Sequence, residues 1–119
     1  YRDFTYVDDL VNAVKLLIDC IPKNNEKILD HDSLSPVAPF RIVNIGNSNK
    51  IKLIDFIDAI EESLGKKAIR NYMSMQKGDV IETWADASLL NKLTNYKPKT
   101  NYRDGINHFI KWYKEYYKE

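Results

Sequence analysis

Leu53, Ile57, Ile60 and Leu64 advance by four, three and four residues along a stretch that halts at Gly65, and this run constrains the fold more than any other feature. Such spacing gathers the four side chains into one stripe of a helix, which must find another surface to cover it. Asp55, Asp58, Glu61 and Glu62 fall away from the stripe, and Gly65 stands where a left-handed helix stop belongs. Carboxylates opposite an apolar stripe read as a solvated face rather than as a general acid and base. Leu53, Ile57 and Ile60 are therefore expected in the core.

Two further stripes have the same period. Val7, Leu10, Val11, Val14, Leu17, Ile18 and Ile21 predict a helix ended by Pro22, with Asp8 and Asp9 as acceptors for its first amides. Tyr102, Ile106, Phe109, Tyr113 and Tyr117 predict a last helix that starts at Thr100 or Asn101, with Trp112 and Tyr116 at the edge of its apolar face. Between them, Asp86 caps a short helix carrying Leu89, Leu90 and Leu93, which stops near Asn95. Aromatic and branched residues predict strands over Tyr1 to Val7, Phe40 to Ile45 and Lys67 to Met75, with turns at Gly46 to Asn49 and Gln76 to Asp79. Pro22 to Pro39 is polar and aperiodic, a long loop. The alternation gives an α/β class, in the form of a small α+β unit, with the three longer helices around a common core and one apolar face left uncovered.

At 119 residues and 44% hydrophobic content the chain fits one domain, residues 1–119. It has no initiator methionine and opens directly on a strand, so it is expected to start within a longer protein. Its 18 basic and 17 acidic side chains leave a net charge of +1, which argues against a nucleic-acid partner. Lys111, Lys114 and Lys118 interleave with aromatics, but helical spacing assigns those rings to packing before base stacking. One cysteine, Cys20, cannot form a disulfide within the chain, and no apolar run is long enough for a membrane span, so a reducing cytoplasm is expected. His31 and His108 have no ligand-spaced partners, and no metal is expected. No glycine-rich phosphate loop, nucleophile elbow or tyrosine with a lysine four residues on is present. No catalytic residue is assigned, and this chain is expected to bind no NAD.

Three segments, in order, carry a resemblance. Arg2-Asp3-Phe4-Thr5-Tyr6-Val7-Asp8-Asp9, then Val43-Asn44-Ile45-Gly46-Asn47, then Met75-Gln76-Lys77-Gly78-Asp79-Val80 with Thr83-Trp84-Ala85-Asp86, resemble the carboxy-terminal signature of the NAD-dependent epimerase and dehydratase family. Within it, the chain is most similar to UDP-glucuronate 4-epimerases of the capsular polysaccharide type. The resemblance implies the substrate-binding, C-terminal portion of an extended short-chain dehydrogenase, with the amino-terminal Rossmann domain that holds NAD absent. It implies a UDP-sugar partner, UDP-glucuronate or UDP-galacturonate, whose C4 hydroxyl the parent enzyme oxidises and re-reduces through NAD.

The resemblance also implies site residues. Arg2 matches the arginine that contacts the diphosphate, and Asp79 the acid that reaches the ribose or its vicinity. Gln76 stands where galactose-type epimerases have a second phosphate-binding arginine; its amide can donate hydrogen bonds but carries no charge. Lys77 replaces the proline common at that turn. The catalytic serine or threonine and the tyrosine-lysine pair belong to the absent region. A related nucleotide-sugar dehydratase or reductase, and a free-standing binding module, stay open as alternatives.

Overall fold

The structure, a computed structural model, describes residues 1–118. In chain order the elements are β1 (Arg2–Asp3), α1 (Val7–Leu17), β2 (Lys50–Ile51), α2 (Leu53–Leu64), α3 (Ser88–Thr94) and α4 (Tyr102–Tyr117). β1 and β2 pair antiparallel, Arg2 opposite Ile51 and Asp3 opposite Lys50. This is the small mixed helix-and-sheet class expected, with much less strand.

The helix stops fall where the chemistry puts them. Gly65 (φ 69°) and Asn95 (φ 53°) take the left-handed conformation that closes α2 and α3. Asn101 caps α4, its side chain accepting from the Arg103 amide at 2.9 Å. The N-cap of α3 is Ala87 rather than Asp86, although the Asp86 carboxylate does take the Ser88 amide at 2.8 Å.

Other expectations are corrected. The segment after Tyr1 is a strand for only two residues, and α1 ends at Leu17, four residues before Ile21. Phe40 to Ile45 and Lys67 to Met75 form no strand, because neither meets a neighbouring strand to share a ladder among the described residues. Neither Asp8 nor Asp9 caps α1, whose N-cap is Tyr6 with no side-chain bond. Asp9 is instead buried and turned towards residues 96–100.

The helices do not share one core. α2 packs on α4 and α1 on α3. In the first pair Ala59, Ile106 and Ile110 are buried, with Phe56, Ile60, Leu64 and Tyr102 packed around them. Phe4 stacks on Phe56 with ring centroids 3.8 Å apart, which ties the segment after β1 to α2. Leu53 is 54% exposed and Ile57 and Ile60 half-buried, because small Ala59 lets α4 approach on a neighbouring stripe. In the second pair Ala13, Leu89 and Leu90 are buried, and the Cys20 thiol donates to the Leu93 carbonyl at 3.5 Å. Cys20 is thus a packing thiol.

Glu61 is the exception on the acidic side of α2. It is buried and accepts from Lys67 at 2.7 Å, the Ala68 amide at 3.1 Å and Arg70, which hold its carboxyl at about 2. The long loop also has an ionic centre. Arg41 meets both oxygens of buried Asp32, at 2.9 and 3.0 Å, and the same carboxylate accepts the amides of Ile28 and Leu34.

Much apolar surface stays open. Val7, Val11 and Val14 line an outward stripe of α1 that continues to Ile18, while Phe109, Trp112, Tyr116 and Tyr117 of α4 are more than half exposed, so Phe109 and Tyr117 of the expected stripe are not core. The radius of gyration is 18.0 Å, where a compact domain of this length has about 13.5 Å. The accessible surface of 9204 Å² likewise exceeds the roughly 6,700 Å² of a compact monomer of this mass. The uncovered face expected from the helical stripes is present, and it is extensive.

Candidate functional site

The three motif segments, far apart in sequence, converge on β1. The Tyr1 nitrogen donates to the Ile81 carbonyl at 3.2 Å, and the Thr83 amide donates back to the Tyr1 carbonyl at 3.2 Å. That alternation is the pattern of a parallel ladder, so residues 81–83 lie beside the start of β1 like an incomplete strand. One residue on, Asp3 Oδ2 accepts the Ser48 amide at 3.0 Å and the Ala85 amide at 3.2 Å. Gly46 lies so close that an added Cβ would meet Ala85 Cβ at 2.5 Å and Asp3 Oδ2 at 2.9 Å. Only glycine fits there without displacement.

This scaffold sets Arg2 against the turn at residues 76–79. Gly78, at φ 92°, allows the reversal, and the Asp79 amide donates to the Gln76 carbonyl at 3.2 Å. Arg2 Nη1 donates to the Tyr1 carbonyl at 2.9 Å and to the Ile81 carbonyl at 3.4 Å, while Nη2 reaches Asp79 Oδ1 at 3.4 Å. Arg2 and Asp79 are thus brought together, 77 residues apart. Their side chains keep 33% and 57% of their exposure, so the ion pair is loose and worth about 0 to 1 kcal/mol. A guanidinium so held is open to an anion from solvent. Gln76 begins the same turn and is exposed; its side chain makes no hydrogen bond among the described residues.

Residues outside the sequence reading join the surroundings. Lys50, opposite Asp3 in the ladder, pairs with Glu82 at 3.0 Å and lies 5.2 Å from the centroid of exposed Trp84. No spacing in the sequence signals Lys50, since its place follows from strand register. Asp3 sits inside a quoted motif, but its role appears only when Ser48 and Ala85 are seen to share it.

A groove of about 590 Å³ runs between α2 and α4, lined by Phe4, Tyr6, Ile60, Leu64, Phe109 and Tyr113 among others. None of Arg2, Gln76 and Asp79 lines it, and its walls are apolar, as befits a packing face. His31 is exposed and shares a 3.2 Å hydrogen bond with Ser88. Among the described residues no group of three or more histidine, cysteine or acidic side chains could hold a metal, and no helix is long and apolar enough to cross a membrane. Nor do these residues fit a dinucleotide: the four glycines, Gly46, Gly65, Gly78 and Gly105, are scattered, and none opens a strand-to-helix phosphate turn.

No protein-family model matches the chain. Its sequence is 45% identical to protein CapI of Staphylococcus aureus over 99% of this chain and 36% of that protein. It is 34% identical to UDP-glucuronate 4-epimerase 2 of Arabidopsis thaliana, over 99% of this chain and 27% of that one. Among solved structures, UDP-glucuronic acid 4-epimerase from Bacillus cereus, a point mutant in complex with UDP-4-deoxy-4-fluoro-glucuronic acid and NAD, matches with a TM-score of 0.71 and 26% identity, over 97% of this chain and 32% of that one. The same epimerase in complex with UDP-glucuronic acid and NAD matches with a TM-score of 0.67. In sequence and fold the chain is similar to nucleotide-sugar epimerases, over a part of those proteins. The relatives it matches include CapI and UDP-glucuronate 4-epimerases, and it spans about a quarter to a third of their length.

Proposed function

We propose that this chain, as one substrate-binding domain, holds the UDP part of a UDP-hexuronate for an NAD-dependent 4-epimerase. NAD and the groups that act on the sugar C4 belong to residues outside 1–119. The observation that supports this reading is the loose pairing of Arg2 with Asp79, 3.4 Å apart where the three segments meet. A guanidinium can grip two phosphate oxygens with its planar fork, and Arg2 gives up only a weak ion pair to do so. Asp79, released from Arg2, can accept from vicinal ribose hydroxyls. Gln76, three residues earlier, is placed to donate to the diphosphate without adding charge.

The division of labour has a physical reason. Epimerisation requires the oxidised hexose to turn over while the nucleotide stays fixed, so the anchor must lie away from the reacting carbon. UDP-glucuronate and UDP-galacturonate differ only at that carbon and suit the same anchor. The one cysteine, unpaired within the chain, suits a cytoplasmic setting.

The test is UDP affinity by calorimetry, on this chain and on the longer enzyme with NAD in place. Arg2→Ala should weaken binding by about tenfold to hundredfold, the loss of one charge-assisted contact. Asp79→Asn should be milder, because an amide still accepts one hydroxyl. Unaltered UDP affinity in a folded Arg2→Ala protein would remove the assignment.

A further inference from the structure

We infer that Asp3 is the positioning residue for the Arg2–Asp79 pair, holding the segment that carries Asp79 in register with β1. The geometry stands by itself, while its consequence for ligand binding rests on the UDP-sugar reading above. The Asp3 side chain reaches both other regions: its Oδ2 takes the Ser48 amide, next to the second motif segment, at 3.0 Å and the Ala85 amide of the third at 3.2 Å. Beyond the contacts of Lys50 with Glu82 and Trp84, residues 79–85 have little else to hold them. Val80, Ile81 and Trp84 are each more than half exposed, and no helix or paired strand includes the segment. Its attachments to β1 are the two Tyr1 backbone bonds, the Arg2 contacts and the Asp3 carboxylate.

The Asp3 attachment differs from the rest in burial. Arg2 and Asp79 face solvent, whereas Asp3 Oδ1 is sealed from water and has no hydrogen-bond partner among the described residues. A carboxylate oxygen left so is costly, and the two amides on Oδ2 are what offsets that cost. Gly46 sits so close to Ala85 and Asp3 that a side chain there would push the three segments apart. Asp3 thus acts on the nucleotide through Arg2 and Asp79, without touching it.

The experiment uses amide exchange in this chain, which needs no ligand, together with UDP titration. Asp3→Ala should raise exchange about tenfold at Ser48 and Ala85. It should also raise exchange at Thr83, whose amide is bonded to Tyr1 and not to Asp3, a change that loss of a single local bond does not produce. Asp3→Asn should restore protection by turning its amide oxygen to the two donors. Gly46→Ala, which keeps the carboxylate but crowds it, should loosen the same amides, and Ala85→Gly added to it should tighten them again. It serves also if Asp3→Ala does not fold. Unchanged Thr83 protection in Asp3→Ala or in Gly46→Ala, or an Asp3→Asn that behaves like Asp3→Ala, overturns the inference. UDP affinity should fall as protection of residues 79–85 falls. A segment that loosens while UDP affinity is untouched by Arg2→Ala overturns the nucleotide reading and leaves Asp3 as the latch. A loss of affinity in Arg2→Ala but not in Asp3→Ala overturns the latch alone.

Discussion

The Asp9 carboxylate in the first turn of α1 accepts a 2.7 Å hydrogen bond from the hydroxyl of Tyr96, 87 residues later. Its other oxygen takes the amides of Lys99 and Thr100, at 3.1 and 2.8 Å, just before α4 begins. One side chain thereby ties the two helix pairs together. Burial pushes the Asp9 carboxyl up, but the Tyr96 hydroxyl and the two amides outweigh it and leave it below the usual carboxylate range. Asp9→Ala strands a hydroxyl and two amides and should cost about 2 kcal/mol, read from the urea midpoint, whereas Asp9→Asn keeps one acceptor and should cost less. A neutral Asp9→Ala would mean that residues 96–100 are held by other contacts.

Packing between α2 and α4 gives a contrasting pair. Ile106 is 5% exposed and Leu53 54%. Ile106→Ala should therefore destabilise by about 2 to 5 kcal/mol and Leu53→Ala by less than about 0.5 kcal/mol. Chemical denaturation of both variants checks it; equal losses would put Leu53 in the core that its spacing suggested.

Period alone locates α2 and α4 but not which edge of each stripe is buried. Leu53 and Ile57 satisfy the pattern as well as Ala59 does, yet α4 comes closest over the small side chain. Glu61 and Asp9 escaped the reading for one reason: their donors, Lys67 and Arg70 or Tyr96 and Thr100, come from other segments. Branched and aromatic residues at Phe40 to Ile45 and Lys67 to Met75 express strand propensity, and propensity without a neighbouring strand makes no ladder. Arg2 and Asp79 were singled out through motif resemblance alone, since no local rule relates residues so far apart. Asp3 needed coordinates.

Glu61 makes a pH prediction. Its carboxyl lies at about 2 in the fold against an ordinary 4.5, because Lys67, Arg70 and the Ala68 amide favour the charged form. A depressed carboxyl binds fewer protons folded than unfolded, so its stabilisation is present above about pH 4.5 and is lost as pH falls towards 2. Stability followed over pH 5 to about 2 should decline less steeply in Glu61→Gln than in the parent chain. Parallel curves would show that the cluster does not titrate with folding.

The outward stripe of α1 should be sticky. Val7, Val11 and Val14 are each half exposed or more, on one face. Sedimentation equilibrium of this chain should show association that grows with concentration. Val11→Lys with Val14→Lys should suppress it while changing folding stability by no more than about 0.5 kcal/mol each. Association untouched by both changes would move the contact to the aromatic face of α4.

With its shortest dimension at 19 Å, the molecule is a slab about two helix diameters deep. In a sheet of matter that thin, nearly every side chain is within one layer of a boundary, and few positions are shielded from what lies outside. Tolerance to substitution is then governed less by the chain's own packing than by its neighbours. Along α1, residues 79–85 and the aromatic end of α4, what a substitution costs is set by whatever surface is laid against them, much as a casting is set by its mould.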